Sequence, residues 1–152
     1  MKLDDSKFIQ IVDSAPLVSI DLVIRNAEGA ILLGKRVNRP AAGYWFVPGG
    51  RVRKNELVLS AVRRVAESEL GLRLVMEEVR FMGVYEHFYD DNYLGREGVG
   101  THYVVLAYEY LLQDSKPLRK DDQHSELRWW KVNDLLNCSD VHKNTKAYFK
   151  QI

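Results

Sequence analysis

The chain has one cysteine, Cys138, among its 152 residues. A lone cysteine excludes an internal disulfide framework and a cysteine-rich zinc site, and it fits a reduced thiol in the cytosol. No apolar run approaches the roughly 20 residues that a membrane helix needs. The N-terminal MKLDDSKFIQ is too acidic and too polar for a signal peptide. We therefore expect a cytoplasmic protein with no membrane partner.

The chain also lacks an excess of charge of one sign. Its formal net charge of +1 gives no general attraction to nucleic acid, so any anion site must come from locally placed arginines. Repeats and low-complexity segments are missing too. A hydrophobic content of 46% and a charged content of 28% are ordinary for a globular protein. We expect one domain over residues 1–152.

Strand patterns dominate the chain. Residues 16–36 predict a hairpin, in which PLVSIDLVIR and AILLGKR are the strands and NAEG is the turn. Three later segments also have the composition of strands: RFMGVYEHFY, THYVVLAYEYLL and SELRWWKV. These strands do not alternate regularly with helices, which argues against a doubly wound parallel sheet.

Helices are predicted at both ends and in the middle. Ser6 is a candidate cap for the first helix, and HKNTKAYFKQI predicts the last. The central helix is predicted over residues 56–70, with Asn55 as its cap and Gly71 ending it in a left-handed conformation. The fold class that follows is α+β, a mixed sheet packed between helices.

The central helix carries a carboxylate at the edge of its buried face. Glu69 extends the apolar stripe formed by Ala61, Val62, Val65 and Ala66. In the last turn the helix dipole disfavours negative charge by roughly 0.3–1 kcal/mol. Two interpretations stay open: a solvated glutamate paired with an arginine, or a ligand of a cation that reverses the local electrostatics.

Two arginines flank a glycine turn upstream of this helix. Arg51 follows the PGG turn directly, and Arg36 ends the preceding strand. Guanidinium groups match phosphate oxygens, and glycines let the backbone approach a ligand closely. Arg64 is better interpreted as structural, and either flanking arginine could also be ordinary surface.

The segment GGRVRKNELVLSAVRRVAESELGL, residues 49–72, resembles the Nudix hydrolase motif G-x5-E-x7-R-E-U-x-E-E-x-G-U, where U is bulky and aliphatic. Six positions match: Gly50, Glu56, Arg64, Glu69, Gly71 and Leu72. Three depart from it: Val65 and Ser68 replace glutamates, and Ala66 replaces a bulky aliphatic residue. The register is therefore that of the family, while its carboxylates are reduced.

The departures have a chemical consequence. Positions 65, 68 and 69 share one helix face, where the ordinary motif presents three carboxylates that can hold two or more divalent ions and activate a water. Here Glu69 alone remains. One Mg²⁺ could neutralise a leaving diphosphate but is poorly equipped to activate the nucleophile as well. Attack at phosphorus is therefore less favoured, and attack at carbon is more favoured.

Over nearly its full length the chain resembles the GDP-mannose mannosyl hydrolases, a Nudix subfamily, most distinctively in YWFVPGGRV and HFYDDN. The resemblance implies a Nudix-type mixed sheet and hydrolysis of GDP-mannose to GDP and mannose, by water attack on the anomeric carbon with inversion. GDP-glucose is a second candidate substrate. The resemblance also implies one Mg²⁺ per active site, with Mn²⁺ as a substitute, and a homodimer.

The resemblance assigns roles residue by residue. It implies metal ligation by Gly49, Glu69 and Gln123, and base catalysis by His124. It also implies diphosphate binding by Arg36, Arg51 and Tyr103, and sugar contact by Asp21 and His87. Tyr89, two residues beyond His87, shares its strand face and is a further candidate for the sugar pocket.

Each assignment has a plainer alternative. His124 and Gln123 could be surface polar residues, Asp21 could make a structural hydrogen bond, and the aromatic candidates could simply pack. Two other functions also stay open. One is ordinary pyrophosphatase cleavage to GMP and a sugar phosphate. The other is a module that binds a nucleotide sugar without turnover.

Overall fold

The computed structural model describes residues 3–113, 118–119 and 124–150. Within these ranges four helices and seven strands follow one another as α1 Asp5–Ser14, β1 Leu17–Asn26, β2 Ile31–Arg36, β3 Trp45–Phe46, β4 Gly49–Arg51, α2 Val58–Leu70, β5 Arg80–Tyr89, β6 Thr101–Leu112, β7 His124–Trp130, α3 Val132–Asn137 and α4 Lys143–Lys146. The predicted α+β class is confirmed.

The strands form one mixed sheet in the order β3-β2-β1-β6-β5, while β4 pairs with β1 and β7 pairs with β2. β1 and β6 are parallel, and β1 and β2 are antiparallel. The predicted hairpin is present, and the Asn26 side chain closes its turn by accepting from the Ala30 N–H at 2.8 Å. β1 meets β2 at Arg25↔Ile31 and meets β4 over Ser19–Asp21, so two neighbours share one side of β1.

The alternation of β1 divides the core between the two faces of the sheet. Ile20, Leu22 and Ile24 pack against the apolar stripe of α2. Val23 belongs to a second cluster that includes Leu135 of α3 and Tyr148, just after α4. The same alternation puts Asp21 on the side of Val23, facing the C-terminal segment.

The central helix differs from the prediction at its start and agrees with it at its end. Asn55 does not cap α2, because it has φ 65° in a turn closed by the Glu56 N–H donating to the Arg53 carbonyl at 3.1 Å. This turn delays the helix, whose cap position is Leu57 without a side-chain hydrogen bond. Gly71 ends the helix at φ 63° as predicted, the left-handed conformation that glycine adopts at low cost.

The terminal helices also differ in detail. Ser6 lies inside α1, and Asp4 is the cap because its side chain accepts from the Lys7 N–H at 2.8 Å. The C-terminal helix is shorter than predicted, since α4 ends at Lys146 and residues 147–149 form turns. Among the described helices, none combines the length and apolar character needed to cross a bilayer.

Candidate active site

The predicted site residues converge where β1 and β2 part from each other. Strand pairing brings them together two at a time. Asp21 pairs with Gly49 across β1 and β4, and His87 pairs with Tyr103 across β5 and β6. Across β2 and β7, Arg36 pairs with His124, beyond a register shift between Lys35 and Arg36. Positions far apart in the chain are thus neighbours at one end of the sheet.

Glu69 and His124 meet on the α2 side of the sheet. Both are buried, with 7% and 4% of their surfaces exposed. His124 Nδ1 lies 3.7 Å from Glu69 Oε2. The helix stripe carries Glu69 inward, and its burial excludes the solvated alternative for this glutamate. His124 is likewise not a surface histidine. It begins β7, and its ring lies against Gly34 of β2.

Glycines make room for both halves of the site. A methyl group at Gly34 would come within 2.6 Å of His124 Cδ2, so the ring occupies the space that a side chain would fill. A methyl group at Gly49 would collide with Asp21 Oδ1 and lie 2.6 Å from the Ile20 carbonyl oxygen. Real Cβ atoms do not tolerate these distances, so a larger residue at position 34 would displace the His124 ring, and position 49 requires glycine because the Ile20 backbone is in the way.

The two departures from glutamate on α2 lie in different environments. Val65 is 1% exposed, and a methyl group at Gly50 would come within 3.1 Å of its Cγ2. Ser68 is exposed, and its hydroxyl lies 3.5 Å from the Val65 carbonyl oxygen. At position 65, where the motif has a glutamate, a buried valine packs against Gly50 instead. Of positions 65, 68 and 69 on this helix face, only Glu69 therefore carries a buried carboxylate.

The opposite side of the sheet end holds a hydrogen-bonded chain. The Tyr148 hydroxyl donates to Asp21 Oδ2 at 2.5 Å and lies 3.4 Å from His87 Nε2. His87 is 5% exposed and Tyr148 is 8% exposed. Asp21 thus has the partner that an acid inside an apolar strand requires.

Burial controls the protonation of this chain. It raises the pKa of Asp21 to about 6, while the Tyr148 hydrogen bond and the charge of Arg36 oppose the rise. Burial, with a smaller effect of His142, lowers the pKa of His87 to about 4. At neutral pH the site therefore offers an anionic carboxylate beside a neutral imidazole.

Cationic and phenolic groups surround Asp21. Arg36 and Arg51 both act electrostatically on Tyr103, whose pKa is raised by burial. Burial likewise raises the pKa of Tyr89, so both phenols remain donors at neutral pH. The Arg36 Nε donates to the Pro40 carbonyl at 3.1 Å, and the Arg51 guanidinium lies 4.3 Å from the centre of the Phe8 ring. Both arginines are thus held by the protein at the site.

An aromatic wall extends from Tyr89. Its ring lies 6.1 Å from that of Tyr103 and 5.5 Å from His142, which stacks on Phe46 at 4.7 Å. Beside this wall opens a cavity of about 400 Å³. It is lined by Arg39, Ala41, Ala42, Tyr44, Tyr89, Asp90, Asp91 and His142. Aromatic faces beside carboxylates suit a polar ligand with apolar ring faces.

Comparison with known proteins identifies this arrangement. The NUDIX domain family matches residues 15–151. The chain belongs to the Nudix family. It is 47% identical over 128 residues to the low-salt glycan biosynthesis protein Agl8 of Haloferax volcanii, covering 84% of this chain and 78% of that protein.

Solved Nudix structures share the fold. A MutT NUDIX hydrolase from Burkholderia pseudomallei superposes with a TM-score of 0.70 at 31% identity, covering 91% of this chain and 99% of that one. The MutT protein of Methanosarcina mazei gives 0.70 at 22% identity, covering 90% and 92%. The mixed sheet with flanking helices is therefore a Nudix fold, and the family is one of hydrolases.

The Nudix helix retains the ion pair of its motif. Arg64 Nε donates to Glu56 Oε2 at 2.7 Å, and Arg64 Nη2 donates to the Arg51 carbonyl at 2.8 Å. The hydrogen bond from Arg64 to the Glu56 carboxylate lowers the pKa of Glu56 to about 2. Arg64 therefore ties the start of α2 to β4, the structural role that its position suggests.

Oxygen donors suited to a divalent cation are present but few. In the described ranges, no three His, Cys, Asp or Glu side chains form a metal-binding group. The buried carboxylate of Glu69 and the main-chain carbonyl of Gly49, on a strand that only glycine fits, are the kinds of oxygen that Mg²⁺ accepts. Gln123, the third predicted ligand, lies outside the described residues. These two described oxygens therefore have the donor chemistry of a Mg²⁺ ligand.

Sequence reasoning gave no individual role to two residues of this Nudix site. Tyr148 contacts Asp21 and His87, and His142 forms part of the aromatic wall. Both lie in VHKNTKAYF, which contributed to the family resemblance only as a whole segment. The available signal was Asp21, an acid inside an apolar strand, which required a partner from some other part of the chain.

Proposed function

We propose that this Nudix protein hydrolyses GDP-mannose to GDP and mannose by attack of water on the anomeric carbon with inversion, using one Mg²⁺. GDP-glucose is a second candidate sugar nucleotide. The observation that carries the proposal is the composition of the α2 face, where apolar Val65 and exposed Ser68 leave Glu69 as the buried carboxylate. A face with one carboxylate is poorly suited to two-metal hydrolysis at phosphorus.

The relative from Haloferax volcanii supports a link to sugars, because its name places it in glycan biosynthesis. The cavity beside Tyr89 supports the same reading. Its aromatic wall can pack against the apolar face of a pyranose, and Asp90 and Asp91 can accept from sugar hydroxyls. The specific nucleotide and the homodimer remain predictions from the family resemblance.

The proposed roles follow the two sides of the site. Arg36, Arg51 and Tyr103 would hold the diphosphate, since guanidinium groups and a phenol are donors that match phosphate oxygens. Asp21, His87 and Tyr89 would hold the sugar. Glu69 and Gly49, with Gln123, would hold the Mg²⁺, which when bound neutralises charge on the departing diphosphate.

His124 would act as the general base. Imidazole is the side chain best suited to take a proton from water near neutral pH, and the His124 ring lies 3.7 Å from Glu69, the proposed metal ligand. Inversion requires the water to attack from the face opposite the diphosphate. Two arginines on the diphosphate make GDP a good leaving group, so no separate acid is needed.

Hydrolysis in ¹⁸O-labelled water tests the proposal. We expect the label in the released mannose and none in a phosphate product, with α-GDP-mannose giving the β-sugar first. Label in GMP or mannose 1-phosphate would instead identify ordinary pyrophosphatase chemistry. Tight binding of GDP-mannose with no product over long incubation would identify a binding module.

A further inference from the structure

We propose that Tyr148 is a positioning residue that orients both Asp21 and His87 toward the sugar. The inference deepens the proposed function and rests on it. Tyr148 lies just after α4, outside every strand that carries the site. It therefore links the C-terminal segment to sugar recognition.

With the Asp21 carboxylate ionised, the two contacts of Tyr148 fit one arrangement of hydrogen bonds. An ionised carboxylate only accepts, so the Tyr148 O–H must donate to Asp21 Oδ2, at 2.5 Å. Because the phenol's one proton is already donated to Asp21, the phenol oxygen can only accept from His87, whose Nε2 lies 3.4 Å away. His87 is then the Nε2–H tautomer, and its Nδ1 is left as an acceptor. One hydroxyl thus fixes the orientation of an acid and the tautomer of an imidazole.

Packing holds the phenol in this geometry. Tyr148 is 8% exposed, and its ring stands edge-on to that of Tyr85 at 4.6 Å. A buried aromatic ring with a neighbour at this distance has little freedom to rotate. Burial also raises the pKa of the phenol, which keeps its proton available at neutral pH.

The sugar and the diphosphate of the substrate should therefore depend differently on Tyr148. The groups proposed for the diphosphate, Arg36, Arg51 and Tyr103, do not hydrogen-bond Tyr148 in the described structure. Loss of the hydroxyl should therefore impair use of the sugar nucleotide without impairing binding of GDP. A merely structural tyrosine would not separate these two measurements.

The variant Tyr148→Phe removes only the hydroxyl. We expect kcat/KM for GDP-mannose to fall about 10- to 100-fold, the range for a lost hydrogen bond to a charged group. We expect the inhibition constant of GDP to change less than about twofold. Tyr110→Phe is the matched control, because Tyr110 is 6% exposed and its hydroxyl accepts from the Val75 N–H at 3.2 Å, away from the site.

Each outcome decides the matter. Equal kcat/KM for Tyr148→Phe and Tyr110→Phe, or a parallel loss of GDP binding, overturns the positioning role while the proposed function stands. A wild-type protein that releases no mannose overturns the proposed function itself. If Tyr148→Phe does not fold, the ¹⁵N shifts of His87 in the wild type replace it. The Nε2–H tautomer supports the inference, and the Nδ1–H tautomer overturns it.

Discussion

At one end of the sheet, a buried carboxylate and a partly buried one face opposite sides and have different surroundings. Glu69 lies on the α2 side with His124 at 3.7 Å, beside a helix stripe that is otherwise apolar. Asp21 lies on the other side, in a chain of hydrogen bonds through Tyr148 to His87. One acid lies beside a histidine on a helix stripe that is otherwise apolar, and the other belongs to a hydrogen-bonded network.

The difference indicates two kinds of ligand. A buried carboxylate beside few other acids suits one cation, because the cation supplies the compensating charge. A carboxylate that already has a phenol donor and a neutral imidazole nearby suits uncharged hydroxyl groups. The contrast agrees with a substrate that has a metal-bound diphosphate at one end and a sugar at the other.

The largest predicted effect lies on the Glu69 side. His124→Gln removes the proposed base and should lower kcat about 10²- to 10⁴-fold, the usual contribution of a general base. Steady-state release of mannose measures it. His102→Gln is the control, since His102 stacks on Phe88 at 4.4 Å outside the site. Unchanged turnover in His124→Gln would falsify the base assignment.

Glu69→Gln should lower activity about 100-fold. Loss of a residue that only hydrogen-bonds a metal ligand typically costs about 10- to 100-fold, and loss of the ligand's own charge should cost at least as much. The sharper measurement is thermal unfolding with and without Mg²⁺. The wild type should be stabilised by Mg²⁺ through linkage, and the variant should not. Glu67→Gln is the control on an exposed position of the same helix. A Mg²⁺ response that survives in Glu69→Gln would remove this residue from the metal site.

Gly34→Ala tests whether the position of the His124 ring matters. The new methyl group would lie 2.6 Å from His124 Cδ2, so the ring must move. We expect a loss of about tenfold in kcat, since small misplacements of a catalytic group are costly. The same change made in the His124→Gln background should cost little more. Equal losses in the two backgrounds would indicate that Gly34 acts through folding alone.

On the Asp21 side of the sheet, the variant Asp21→Asn tests how the carboxylate affects stability. Burial raises the pKa of Asp21 from 3.8 to about 6, so the folded state binds more protons than the unfolded state between these values. Stability is therefore lost as the pH rises through this window, and the deficit is complete above about 6. Asparagine removes the charge and should raise the unfolding free energy by roughly 1–3 kcal/mol at neutral pH.

Thermal unfolding in EDTA checks this prediction without interference from a cation. The gain of Asp21→Asn over the wild type should shrink as the pH falls toward 4. Activity should fall in the same variant, because the sugar loses an anionic acceptor. A variant that is less stable than the wild type at every pH would show that the network depends on the charge of Asp21.

The sequence predicted the two sides of this comparison unequally. The period of α2 placed Glu69 at the edge of the buried face, because a helix stripe is a local pattern, but it left open whether the carboxylate is buried or solvated. The capping role of Asn55 was wrong, since a turn closed at Glu56 competes with the helix start. The Tyr148–Asp21 bond joins residues 127 positions apart, and no local period encodes such a contact. Buried polar networks therefore needed the folded chain.

The smallest predicted effect concerns Arg64, whose contacts link α2 to β4. Arg64→Lys loses the forked contact to Glu56 and the bond to the Arg51 carbonyl. Lysine offers a point charge where a planar fork fits, so we expect a loss of about 1–2 kcal/mol in unfolding free energy and only a severalfold loss in kcat/KM. Denaturant unfolding measures it, with the exposed neighbour Arg63→Lys as control. A loss as large as that of Glu69→Gln would make Arg64 part of the chemistry, since anchoring β4 to α2 could not account for it.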